Sequence, residues 1–224
     1  MVQKSLKAEV ERMLGEIADE KVRTQVTKAL NYVDDPPRHL LVAYGVVRAR
    51  ESGYKELALE LARLAYEHNP EDPHLLIELC NSLDQPQNVV SEIEQFGRRV
   101  KISSLPADQR EKIMVSLAAA YKGMGRTAES VKILEESKIE LARGIELLAE
   151  QYYQTGQTQK AINLLYERLK WVGKLSEGMA SWLSKSFDTT GDYTQAMQIT
   201  EKFQEDALIK PIYEKARKQL GFKD

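Results

Sequence analysis

Apolar residues recur at three- and four-residue spacing along nearly the whole chain, and the alternation that is typical of β-strands is absent. Near the start, two successive apolar stripes predict two helices. The stripes consist of Leu6, Val10, Met13, Leu14 and Ile17, and then of Val22, Val26, Ala29, Leu30 and Val33. The proline pair Pro36 and Pro37 then interrupts the pattern, because proline cannot continue a helix. The pattern therefore predicts an all-α chain that begins with a helical hairpin.

The sequence also contains a repeat that is longer than the helical period. An aromatic residue is followed four positions later by glycine, and five positions after that by a small residue. The sets that fit are Tyr121, Gly125 and Ser130; Tyr152, Gly156 and Ala161; and Phe187, Gly191 and Ala196. Ala49, Gly53 and Ala58 fit with a smaller first member. Repetition of this kind predicts a stack of helical hairpins, in which glycine permits the positive φ that ends a helix.

The repeat pattern divides the 224 residues into seven predicted segments. They are an N-terminal helical hairpin (1–38), five repeats (39–72, 73–108, 109–140, 141–176 and 177–208) and a C-terminal capping helix (209–224). The second repeat is irregular, since its turn contains Pro86 where the others have glycine. The length is compatible with one elongated domain or two small ones. No domain boundary is evident from composition, and the weakest join is expected at 102–108.

The hairpin pattern resembles the tetratricopeptide repeat (TPR) over roughly residues 39–205. Matching first-helix positions include Met114, Leu117, Ala118 and Tyr121, and then Ile145, Leu148, Ala149 and Tyr152. Matching second-helix positions include Ala58, Ala62, Ala65 and Pro70. The leading tryptophan of the motif is missing everywhere, and Glu92 occupies a position that is normally small. The resemblance implies a right-handed superhelical solenoid of antiparallel helix pairs.

In this family, first-helix side chains that do not point into the stack line a concave peptide-binding groove. Carrying the register over gives the groove candidates Asn81, Lys112, Lys122, Arg143, Glu146, Glu150, Tyr153 and Lys185, with Ile77 and Val115 among the apolar positions. The family's carboxylate clamp for peptide C-termini is not reproduced, because the first repeat supplies only Leu40, Ala43 and Val47. The alternative is that these are ordinary solvated side chains on exposed helices.

The resemblance implies a non-catalytic adaptor or scaffold that binds a peptide segment of another protein. The alternative is a structural protein that assembles with copies of itself through its terminal repeats. Lys plus Arg number 32 against 34 Asp plus Glu, which disfavours nucleic acid as a partner. No apolar run is long enough to insert in a membrane, and the N-terminus lacks a signal-peptide pattern. The single cysteine excludes an internal disulfide, so we expect a cytoplasmic protein.

The common catalytic and nucleotide-binding motifs are absent, so no catalytic residue, metal or cofactor is predicted. His68 and His74 flank a link containing Glu71 and Asp72, a group that suits helix capping or, alternatively, a metal ion. Cys80 occupies a small packing position and is expected to be buried and inert rather than nucleophilic. Two tryptophans, Trp171 and Trp182, are expected to pack between neighbouring hairpins. The alternative is that they are exposed interface anchors.

Overall fold

The computed structural model of the protein describes residues 2–35 and 38–222, with side chains from Lys7 onward. The side chain of the predicted stripe position Leu6 and the Pro36–Pro37 break lie outside this description. Within the described ranges all regular structure is helical, which confirms the all-α prediction. The contacts divide the chain into two compact units, Met1–Arg126 and Thr127–Asp224.

The first unit contains seven α-helices in its described part. They are α1 (Val2–Gly15), α2 (Glu20–Leu30), α3 (His39–Glu51), α4 (Lys55–His68), α5 (Pro73–Ser82), α6 (Pro86–Arg99) and α7 (Ala107–Gly123). A short 3-10 helix, Ile102–Ser104, links α6 to α7. Ile102 and Leu105 pack against the core of the unit. This packing places 102–108 within the first unit, although the sequence suggested the weakest join there.

The N-terminal hairpin forms a closed four-helix arrangement with the next two helices. α2 packs against α3, α3 against α4, and α4 against α1, which also contacts α2. Asp19 begins α2, and its carboxylate accepts hydrogen bonds from the backbone amides of Lys21 and Val22. Gly45 permits the close approach of α3 to α2, because a β-carbon there would collide with that of Ala29. The arrangement places α1 on the side of α4.

The second unit contains six α-helices in its described part. They are α8 (Thr127–Glu136), α9 (Ala142–Gln154), α10 (Thr158–Val172), α11 (Glu177–Thr190), α12 (Tyr193–Thr200) and α13 (Lys210–Gln219). α9 packs against both α10 and α11, and α10 also packs against α11. Buried side chains from these helices, among them Ile162, Leu165, Leu183 and Phe187, form a core separate from that of the first unit.

The turns follow the predicted steric pattern. Gly125 and Gly156 have φ values of 74° and 75°, and the small residues Ala118 and Ala149 are fully buried. Small side chains at these two positions let paired helices approach closely, as the motif predicts. The local rules of the repeat therefore hold in both units.

Candidate functional site

Four of the five candidate residues of the second unit lie on one side of α9 and α11, together with Trp182 and Thr189. Glu146, Glu150 and Tyr153 recur at helical spacing along α9, and Trp182, Lys185 and Thr189 do so along α11. The opposite sides of both helices are buried, including Ala149 and Phe187. We call the side of the two helices that carries these six residues the α9–α11 face.

Aromatic and cationic groups occupy the middle of the α9–α11 face. The rings of Tyr153 and Trp182 lie 5.5 Å apart between centroids and are tilted by 44°. The Lys185 ammonium lies 4.1 Å from the centroid of the Trp182 ring, within cation–π range. The Thr189 hydroxyl lies 3.4 Å from the Tyr153 hydroxyl. A cation, two aromatic rings and two hydroxyl groups thus meet across two packed helices.

Glu146 lies on this face but is engaged by the protein itself. Its carboxylate accepts a hydrogen bond of 2.8 Å from Ser176, the residue that caps α11. The carboxylate also lies against Gly178, where a β-carbon would collide with it. A negative charge at a helix N-terminus is favourable because of the helix dipole. Glu146 therefore ties α9 to the start of α11, a function that the sequence register did not indicate.

The two remaining α9 candidates also have interactions within the chain. Glu150 accepts a hydrogen bond of 3.0 Å from the Gln154 side-chain amide and remains half-buried. Arg143 is exposed and has an interaction partner within the chain. Tyr153 is half-buried, whereas its neighbour Tyr152 is buried with 7% of its surface accessible. This division of the two tyrosines agrees with the repeat register.

The candidates of the first unit are more dispersed. Lys112 is exposed on α7, 3.9 Å from Asp108, while Asn81 and Lys122 are half-buried and have partners within the chain. The apolar candidates Ile77 and Val115 were placed in the groove wrongly, since they are 6% and 3% exposed. They are buried because α5 and α7 each pack against neighbours on more than one side.

The expectation for Trp171 was also wrong, since 85% of its surface is exposed at the end of α10. Trp182 packs against Tyr153, as described above. Repeat spacing alone did not separate the two cases, because both tryptophans belong to helices with a buried side.

The histidines and the cysteine are held in separate structural contacts. Asp72 caps α5, and its carboxylate lies 2.8 Å from the His39 ring nitrogen, to which it is hydrogen-bonded. His68 pairs with Asp34 at 2.6 Å. His74 contacts the Gln109 side chain. Over the part of the chain that the structure describes, no three potential metal ligands form a group. Cys80 is buried as expected, and burial, with Glu92 nearby, raises the pKa of its thiol to about 12.

A polar cleft of about 400 Å³ lies between α4 and α6 in the first unit. Tyr66, Glu92 and Arg99 are among its lining residues. Burial raises the pKa of Glu92, while Arg99 and Arg63 oppose that shift. The cleft exists where glutamate replaces the usual small residue of the second repeat.

None of the helices within 2–35 and 38–222 is long and apolar enough to cross a membrane.

Comparison with protein-family models finds no match, and comparison with curated proteins finds none. Solved structures do match. PilW, described as a widely conserved type IV pilus biogenesis factor, has a TM-score of 0.65 at 15% identity, over 95% of this chain and 98% of that one. Pseudomonas aeruginosa PilF has a TM-score of 0.62 at 13% identity, over 98% and 100% of the two chains.

A thermophilic TPR protein of Thermus thermophilus, TTC0263, matches with a TM-score of 0.53 at 19% identity. This match covers 82% of the present chain and 98% of the other. The helix pairs, turn glycines and small packing positions described above agree with these likenesses. Together they show that the chain has the fold of tetratricopeptide repeat proteins.

Proposed function

We propose that the protein is a non-catalytic interaction module that binds a peptide segment of another protein on the α9–α11 face. The observation that carries this proposal is the cluster of Tyr153, Trp182 and Lys185, which joins two helices and combines an exposed lysine with two half-buried aromatic residues. Tyrosine and tryptophan are enriched among the residues that dominate binding energy at interfaces. The Lys185 ammonium would bind a carboxylate of the peptide, and the rings would bind an adjacent apolar side chain.

The candidate residues of the first unit, Asn81, Lys112 and Lys122, belong to the same proposal as further peptide contacts. The near-neutral net charge of −2 supports a protein rather than a nucleic acid as the partner. The proposal includes a cytoplasmic location, which is supported by the single, buried cysteine. It includes no catalytic step.

The test is affinity capture from the native cell lysate with two matched double variants. Trp182→Leu/Lys185→Glu changes the proposed site, whereas Trp171→Leu/Lys174→Glu changes an exposed tryptophan and lysine elsewhere in the same unit. We expect a protein retained by the wild type and the control, with at least about tenfold weaker binding by the site variant. Circular dichroism checks that each variant is folded. Identical captures by all three proteins would contradict the proposal.

Self-assembly is a second candidate, favoured by exposed apolar side chains near the C-terminal end of the described chain. Leu208, Leu220 and Phe222 are 39%, 39% and 52% exposed. Association of copies through these residues would make the sedimentation coefficient depend on concentration, and Phe222→Ser would remove that dependence. A wild-type protein that sediments as a monomer at all concentrations would exclude it.

A further inference from the structure

One side of α3 carries large apolar residues that the helices of the described ranges leave exposed. Leu40, Leu41 and Tyr44 are 62%, 49% and 50% exposed. The remaining sides of α3 pack against α2, α4 and α5. Burial of these three side chains in an interface would be favourable, because it removes apolar surface from water.

The face is open because α1 packs elsewhere. In the hairpins that begin with α5 and α9, the first helix packs against its own second helix and against the first helix of the next hairpin: α5 against α6 and α7, and α9 against α10 and α11. The same arrangement would place α1 against α2 and α3. Instead, α1 packs mainly against α4 and has only a smaller contact with α2. The position beside α2 and α3, which the first helix of the hairpin would otherwise occupy, is therefore available to a helix of another protein.

The border of this position on α2 is positively charged. Arg48 of α3 donates a hydrogen bond of 3.3 Å to Gln25, which identifies the side of α2 next to the open face. Lys21 and Lys28 lie four residues before and three residues after Gln25, so they share that side, and both are exposed. Arg48 itself is paired with Glu51 at 3.2 Å. Gly45 of α3 lies against Ala29 of α2, so Lys28 is next to the apolar residues and Lys21 lies about two helical turns further along the same border. The two exposed lysines supply the positive charge of this border.

We propose that Lys21, Lys28, Leu40, Leu41 and Tyr44, the α2–α3 face, bind an amphipathic helix of a partner protein whose apolar stripe is bordered by acidic residues. The apolar stripe packs on α3 and the acidic residues face the lysines of α2. Such a helix takes the position beside α2 and α3 that α1 leaves open. The inference rests on the proposed function only in that the partner is a protein, and it concerns a different unit and different residues.

The experiment measures binding of two synthetic peptides to the full chain by fluorescence anisotropy. Each labelled peptide has about 18 residues, long enough for a stable amphipathic helix, with leucines at i, i+3, i+4 and i+7 spacing. One carries glutamates beside the leucines and the other carries lysines. We expect the acidic peptide to bind the wild type at least about tenfold more tightly than the basic one.

Variants locate the binding. Tyr44→Glu and, as a milder second change, Leu40→Ser each weaken binding of the acidic peptide, at least about tenfold and about threefold, respectively. Lys21→Glu/Lys28→Glu reverses the preference toward the basic peptide. The control Lys55→Glu/Lys101→Glu, which changes two exposed lysines of the same unit, binds like the wild type. The α9–α11 variant Trp182→Leu/Lys185→Glu also binds normally, which separates this inference from the proposed function.

Equal binding of the two peptides, no binding of the acidic one, or binding that is insensitive to both Tyr44→Glu and Leu40→Ser would overturn the proposal. Sedimentation tests whether a second copy of this chain, rather than a helix of a partner protein, covers the α2–α3 face. If the wild type dimerises and Tyr44→Glu is monomeric, a second copy of this chain covers the face, and the proposal is wrong. A monomeric wild type that prefers the acidic peptide supports it.

Discussion

Ala149 shows how a single side chain restricts the repeat. It is fully buried on α9, the helix that packs against α10 and α11. We expect Ala149→Asp to destabilise the protein by about 3–5 kcal/mol, since it overpacks the core and buries an unpaired charge. Denaturant unfolding measures this change. Ala142→Asp is the control, because Ala142 is exposed at the start of the same helix, and a loss of more than about 0.5 kcal/mol there would contradict the burial argument.

Tyr152 illustrates a contact that the repeat motif did not indicate. Its buried ring is a motif position, but its hydroxyl donates a hydrogen bond of 2.6 Å to Glu135 of α8. This bond, and to a lesser extent Lys160, lowers the pKa of Glu135, although burial partly offsets it. The hydroxyl thus links α9 to α8 through a carboxylate that would otherwise be an ordinary surface charge.

We expect Tyr152→Phe to lower the free energy of unfolding by about 1 kcal/mol at neutral pH, because a hydrogen bond to a carboxylate is lost at a partly exposed site. Since the folded-state pKa of Glu135 is lowered, its contribution is present above its unfolded pKa and disappears as the pH falls through the folded value. The difference between wild type and Tyr152→Phe should therefore shrink in acid. Tyr153→Phe is the control, and a difference that persists unchanged at low pH would refute the assignment.

At the scale of elements, the contact between α2 and α3 depends on Gly45. A β-carbon at this position would collide with Ala29. We expect Gly45→Ala to destabilise the protein by about 1–3 kcal/mol despite the better helix propensity of alanine, because the two helices must separate. Thermal unfolding checks the direction.

Gly97 of α6 supplies the matched helical control. Its nearest neighbour would lie 3.5 Å from a new β-carbon, an ordinary contact distance. Gly97→Ala should therefore stabilise the protein by up to about 1 kcal/mol. If both substitutions stabilised the protein, the close approach of α2 and α3 would not limit the packing.

At the scale of the whole molecule, the two units have separate cores. We expect the fragment 1–126 to fold alone, because its core is built from its own residues and repeat stability comes from neighbouring helices. Circular dichroism of the fragment should show a helical spectrum and a cooperative thermal transition. A fragment without cooperative unfolding would mean that its core requires residues of the second unit.

The sequence by itself determined the helices, the turns and the packing positions of the repeat. These depend on the helical period, on the freedom of glycine at Gly125 and Gly156, and on the small volume of residues such as Ala149, all of which are local. Of the candidate site, Lys185 is exposed and Tyr153 is half-buried on their helices, and their part in binding stays a prediction.

Only the tertiary structure decided which helix faces meet. It placed α1 on α4 and left Tyr44 exposed, it left Trp171 in solvent, and it brought Glu146 to the start of α11. The sequence could not supply these outcomes because each depends on a pairing between residues far apart in the chain. Helical periodicity shows that a helix has an apolar side, but the neighbour that covers it is chosen by the packing of the whole unit.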